Sequence, residues 1–249
     1  MRAIVFAGPS LPPASRPADM PGIEWRPPVR QGDVARAVLT APAVIGIIDG
    51  YFEIVPTVWH KEILWAMAQG IHVLGAASIG ALRAAELDAF GMRGIGRIYE
   101  QFRDGILEDD DEVAVLHGPE ELGYPALTEA MVNMRATFDE ARRFGVLTPD
   151  IAAHLTAIAK SLFYKERTYD AVFERATASG LSVITLRDFA ASLPASRIDQ
   201  KRRDADALLA AIRTHLATAP PPLRVSYTLA ETVAWKNAVE STLIDQRHW

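Results

Sequence analysis

Short apolar runs alternate with longer stretches of helical period along the first 90 residues of the chain. AIVFAG (3–8), AVIGIIDG (43–50) and IHVLGAA (71–77) are apolar runs of strand length, and the Val and Ile of the second predict burial on both faces. IEWRP (23–27) is a shorter strand candidate. QGDVARAVLTA (31–41), PTVWHKEILWAMAQG (56–70) and SIGALRAAELDAFG (78–91) space their apolar residues three and four apart, which predicts helices. Pro56 and Thr57 mark the start of the second helix and Gly70 its end, while Gly91 closes the third. LPPASRPADMPG (11–22) is a proline-rich loop.

Strands that alternate with helices imply βαβ units and a parallel sheet. The pattern then changes. DEVAVLHG (111–118) reads as one more strand, and beyond it the segments 126–145, 149–180, 197–217 and 229–245 are helical, the last set off by APPPL (219–223). The expected fold is α/β: a Rossmann-like parallel-sheet half over residues 1–120, then a mainly α-helical half over residues 121–249. In an open parallel sheet, ligands bind beyond the carboxyl ends of the strands. Three turns fall there: Gly8, Pro9 and Ser10 after the first strand, Asp49 and Gly50 after the third, and Ser78 after the fourth.

Ser78 sits at a tight strand-to-helix bend, GAASIG. A serine there caps a helix well. The same bend resembles a nucleophile elbow, in which small residues two before and two after the serine relieve crowding. Ala76 and Gly80 hold those places, alanine standing where glycine is usual. A hydroxyl at a helix N-terminus lies where backbone N–H groups stabilise an oxyanion, so both readings stand on the local stretch. A nucleophile needs a base. Lys61, in the first turns of the helix that leaves the third strand, belongs to the same sheet edge. Apolar neighbours and the positive helix end favour a neutral amine there. His117, at the end of 111–118, is a second candidate, with Asp49 to orient it. Arg83 and Glu86 are spaced i,i+3 for a local ion pair. EDDDE (108–112) lacks the spacing of a calcium loop and reads as a solvated acidic stretch.

Composition narrows the chemistry. The chain has 249 residues, a net charge of −5 and no cysteine. A mild negative charge argues against general nucleic-acid binding. Without cysteine there is no disulfide, no thiolate metal site and no sulfur carried on the protein itself. No metal or cofactor is expected. No apolar run approaches the roughly 20 residues that span a bilayer, and the first residues lack the layout of a secretory signal, so a cytoplasmic protein without membrane contact is expected.

GPSL after the first strand, DGYF after the third, HKEIL on the next helix, GAASIGALRAAEL, GM and DDEVAVLHGP together resemble the TfuA protein family, through roughly residues 3 to 135. The resemblance implies a function in peptide-backbone thioamidation beside a YcaO-type ATP-dependent enzyme. It implies hydrolysis of the C-terminal thiocarboxylate of a ThiS-like, ubiquitin-fold sulfur carrier, which delivers sulfide and also activates the YcaO partner. It implies a Ser–Lys pair. The serine maps to Ser78 and the lysine to Lys61, with Lys165 in FYKERT as the runner-up. Ile79 would supply an oxyanion N–H, and Gly8, Pro9, Ser10, Asp49 and Gly50 would line the approach. The helical half is then a candidate docking surface. A non-catalytic activator of YcaO and a Ser–His–Asp hydrolase remain as alternatives.

Overall fold

The computed structural model describes residues 1–53 and 55–244. Five strands form one sheet, β1 (Ala3–Phe6), β2 (Ile23–Arg26), β3 (Val44–Ile47), β4 (His72–Ala76) and β5 (Arg93–Ile95), in the order β2-β1-β3-β4-β5 with every pair parallel. The helices are α1 (Asp33–Val38), α2 (His60–Ala68), α3 (Ile79–Leu87), α4 (Arg97–Arg103), α5 (Met131–Arg143), α6 (Pro149–Ser161), α7 (Tyr169–Ala178), α8 (Val183–Ser196), α9 (Gln200–Thr218) and α10 (Val233–Ile244). The fold is α/β, a parallel sheet followed by a mainly helical part. Among the described residues no helix is long and apolar enough to cross a membrane.

The chain divides into two compact units, residues 1–108 with 202–249, and residues 109–201. A single break near residue 120 is expected from the pattern. Instead the first unit stops at Glu108 and takes the chain back at Arg202. The sheet explains why. A parallel sheet is buried on both faces, and its side chains alternate between them. Ile4, Phe6, Ile45, Ile47 and Val73 point to one face, where α1, α2 and α3 bring Val34, Ile63, Met67, Ile79 and Leu87. Ala3, Val5, Val44, Leu74 and Ala76 point to the other, where, among the described residues, α9 is the one helix in the core, through Ala205, Leu208, Leu209 and Ile212, joined by Leu11 and Met20 from the β1–β2 loop. The link from β1 to β2 holds a single 3-10 turn, Pro13–Ser15, so no helix from that link covers this second face. Gly46 lets α9 lie close: a Cβ there would stand 2.7 Å from Ile212 Cδ1.

The second unit is helical, with Met134, Phe138, Leu155, Val172 and Phe189 at its centre. Its charged groups are organised. Arg167 is fully buried and donates to the carbonyls of Ala159, Leu162 and Asp111 at 3.0 Å each and to Asp111 Oδ2 at 2.6 Å. Lys160 pairs with Asp111, with Asp109 at 3.1 Å and with Glu112 at 3.0 Å. Arg135 grips the buried Glu112 through two bonds of 2.8 and 2.9 Å. The acidic stretch thus carries a 3-10 turn, Asp110–Glu112, in which Asp111 and Glu112 are clamped, while Glu108, Asp109 and Asp110 stay exposed as a solvated stretch would.

Other expectations are corrected in detail. Residues 111–118 are not a strand; only His117 forms a bridge, with Ala126. The α2 helix starts at His60, four residues after Pro56. The helical stretch 149–180 is broken between α6 and α7. The short elements β5 and α4 carry too few periodic positions to announce themselves. Asp245, at the end of the last expected helix, lies outside the described residues.

Burial alone would raise the Asp111 carboxyl, but hydrogen bonds from Lys160 and Arg167 outweigh it and hold it below the usual carboxylate range. Its stabilising contribution is thus present above an ordinary aspartate pKa of about 3.9 and lost as pH falls through the lowered value. Arg167→Ala is expected to cost about 3 kcal/mol, measured by denaturant unfolding at neutral pH. Asp111→Asn should flatten the loss of stability below about pH 4, read from the same unfolding curves.

Candidate active site

The β2-β1-β3-β4-β5 order places a topological switch point between β1 and β3, where α/β sheets gather ligands. Asp49, two residues beyond the end of β3 at Ile47, is 1% exposed. Its Oδ2 accepts from the N–H groups of Gly8 and Ser10 at 2.9 Å each, and its Oδ1 from the Ser10 hydroxyl at 2.6 Å. The loop after β1 is tied to the end of β3 by these three bonds. Gly8 and Ser10 are buried with their donors turned onto Asp49, and Pro9 between them is half-buried. Gly50 is packed, not open: a Cβ there would stand 2.6 Å from Ile79 Cγ2 and 2.9 Å from the Val29 carbonyl.

The adjacent turn, from β4 into α3, is crowded. A Cβ on Gly80 would lie 1.8 Å from the Ile47 carbonyl oxygen, and one on Gly75 would lie 2.0 Å from the Gly80 carbonyl oxygen. The upstream position that must lack a side chain is thus Gly75, one residue before Ala76. Between these glycines Ala77 holds φ 66°, in the left-handed region that alanine avoids. The Ser78 N–H donates to the Ala76 carbonyl at 2.8 Å, two residues back. That bond with a positive φ is the rare, strained form of the γ-turn. Strain of this kind persists only where its surroundings enforce it, and it concentrates at working sites.

The turn delivers Ser78 to the N-terminus of α3 with φ −126°, ψ −127° and no capping bond from its hydroxyl. Its carbonyl accepts from Ala81 and Leu82, so Ser78 starts the helix through its backbone alone. The Gly80 N–H is taken by the Ile48 carbonyl at 3.3 Å, which docks α3 on the end of β3. The Ile79 N–H has no acceptor among the described residues. An uncapped serine and one unclaimed backbone donor therefore stand together at the positive end of a nine-residue helix. Ser78 is only 2% exposed.

The HKEIL segment joins three elements. His60 Nε2 lies 2.7 Å from Glu86 Oε2, and the same oxygen accepts from Arg83 Nη1 at 2.7 Å. The Arg83–Glu86 pair is present as the spacing suggests, and Arg83 Nε also donates to the Val58 carbonyl at 3.2 Å. Glu62 is 2% exposed and accepts from Gly32, Ala35 and Trp59 N–H groups at 2.9, 3.2 and 3.3 Å. Burial raises its pKa against those bonds. This residue was missed as a site-builder. Its signal, an acid three residues after a helix start, was there to be read. Lys61 turns elsewhere: its amine donates to Thr232 Oγ1 at 3.4 Å and stands 5.6 Å from the centre of the Trp235 ring. No hydrogen bond links it to Ser78 in this structure.

His117 and Lys165 belong to the second unit. The Nδ1 atom of His117 is 2.8 Å from the Gly118 carbonyl, and the ring packs edge-on against Tyr124. The Lys165 amine lies 5.5 and 5.4 Å from the Phe163 and Tyr164 rings. Among the described residues no three His, Asp or Glu side chains assemble as metal ligands. A family model described as TfuA-like protein matches residues 49–168, a stretch that begins at Asp49 and contains Lys61, Ser78, His117 and Lys165. No curated protein matches the chain.

Two substitutions test the turn. Ala77→Gly should stabilise the protein by about 1 kcal/mol, because glycine adopts positive φ freely. Gly80→Ala should cost more than about 3 kcal/mol or prevent folding, since its methyl group meets backbone and not a movable side chain. Both are read as shifts in thermal unfolding.

Proposed function

We propose that this chain, matched over residues 49–168 by a family model described as TfuA-like protein, hydrolyses the C-terminal thiocarboxylate of a ThiS-like sulfur carrier with Ser78 as nucleophile. That match links the chain to YcaO-dependent thioamidation and, in general, to a YcaO-type partner. The observation that carries the finer reading is the strained turn at Ala77, which holds an uncapped Ser78 hydroxyl beside the Ile79 N–H. A mere cap would not need that strain, and would bond its own helix.

In this proposal Lys61 takes the proton from Ser78 Oγ as the oxygen attacks the terminal carbonyl carbon. The Ile79 N–H donates to the oxyanion. Lys61 then returns the proton to sulfur, the C–S bond breaks, and hydrosulfide leaves an acyl-serine. Water, deprotonated by the same amine, releases the carrier as a carboxylate. Hydrosulfide is a far better leaving group than an amine, so two side chains suffice. To act, the Lys61 amine has to leave its 3.4 Å bond to Thr232 Oγ1 and turn to Ser78. Asp49 is committed to Gly8 and Ser10, which speaks against a Ser–His–Asp arrangement built on it.

The test is sulfide release from thiocarboxylated carrier, with stimulation of a YcaO partner supplied with free sulfide measured separately. Ser78→Ala should lower release by at least about 10³-fold and Lys61→Ala by about 10²- to 10⁴-fold, whereas His117→Ala should leave it unchanged. Release that survives Ser78→Ala would refute the nucleophile. Stimulation of YcaO without any release by the wild-type protein would make the chain an activator only.

A further inference from the structure

At the amino-terminal edge of the sheet lies a cavity of about 610 Å³. β4 runs from it toward the Ser78 turn, and the strand from His72 to Ala76 spans about 13 Å in that direction. The walls come from the starts of β4 and β5 and from the last turns of α9 with the segment after it. His72, Arg93, Thr214, His215 and Thr218 supply its polar groups, and none of the described residues that line it is acidic. In a chain of net charge −5, that is a local reversal of sign.

The cavity holds an unpaired polar atom. His215 is 4% exposed, and its Nε2 has no hydrogen-bond partner. Native proteins rarely leave such an atom without a partner, because burying it unpaired is costly. The His72 ring stands edge-on at 4.5 Å between centroids, and its Nε2, 3.0 Å from the Pro221 carbonyl, carries the proton of that bond. The Arg93 side chain is exposed and forms neither an ion pair nor a hydrogen bond with any described residue; its charge acts on His215. The Ala43 carbonyl faces the same imidazole from the segment before β3. On α9 itself the hydroxyls of Thr214 and Thr218 donate to the Ala210 and Thr214 carbonyls.

We propose that this cavity binds a small oxyanion, a carboxylate or phosphate group, held between Arg93 and the Nε2–H of a protonated His215. Desolvation first, and then His72 and Arg93, hold the His215 imidazole below its ordinary value, while the Ala43 carbonyl opposes them. A bound anion offsets both positive neighbours and gives Nε2 the partner it lacks. Binding is therefore accompanied by proton uptake on His215, and affinity rises as pH falls toward the ordinary histidine range of about 6.5. The site is separate from Ser78, and its occupancy does not depend on the proposed hydrolysis.

The experiment follows the His72 and His215 imidazole resonances of the full chain by NMR from about pH 5 to pH 8. Inorganic phosphate and acetate are each compared with chloride at equal ionic strength. The His215 pKa should rise by about half a unit or more in at least one of the two oxyanions. A rise in phosphate alone assigns the site to a phosphate group, and a rise in acetate assigns it to a carboxylate. Arg93→Gln, a change at an exposed position, should weaken binding about fivefold and shrink the rise. The same His215 titration in all three salts would overturn the proposal, as would a rise that Arg93→Gln leaves intact.

Discussion

A parallel sheet must be covered on both faces, and everything else in the first unit follows from how this chain meets that demand. The three helices that connect β2 through β5 cover one face. The first connection is a proline-rich loop, so the other face has no local helix and waits for α9. Leu208 and Ile212 thus belong to the same core as Ala3 and Val44, more than 150 residues earlier in sequence. Asp204, at the start of that returning segment, caps α4 through the Ile98 N–H at 2.8 Å, which fixes the end of the sheet nearest β5. The returning segment is therefore structural first, and its last turns furnish His215 to the cavity at the sheet's amino-terminal edge.

The carboxyl edge shows the same economy of space. Gly75 and Gly80 let α3 press against β3 and β4 closely enough that any side chain would meet backbone. Ala77 is then left-handed, and Ser78 arrives with its hydroxyl making no bond to the helix it begins. Asp49 fastens the neighbouring loop, and the His60–Glu86–Arg83 group fastens α2 to α3. Each contact is ordinary alone. Together they hold one serine and one backbone N–H in fixed register.

Much of this was legible in the sequence. Continuous Val and Ile runs gave the buried strands, and GAASIG gave the bend, because both are local patterns of residue size and polarity. The turns at Gly8, Asp49 and Ser78 fall at one edge because each follows the carboxyl end of a strand in a parallel sheet. What escaped was non-local. β5 is the three residues Arg93–Ile95, too short for any period to register. The 111–118 run has the short apolar stretch of a strand, VAVL, but no neighbouring strand to pair along its length. The acidic stretch looked solvated because its counter-charges, Lys160 and Arg167, lie about 50 residues on. Lys61 was placed on the right helix, but the direction of its amine depends on Thr232 and Trp235, which the local pattern does not contain.

The return of α9 also sets an order of events during synthesis. Residues 109–201 form a contiguous unit with its own apolar centre, so they can condense as soon as they leave the ribosome. The sheet, although made first, keeps Val5, Val44 and Leu74 uncovered until Leu208 and Ile212 have been translated. The strands that carry the Ser78 turn are thus the earliest part of the chain to be born and the last to be sealed. During that interval they are apolar surfaces a chaperone would hold, and a message broken before codon 208 would leave them bare.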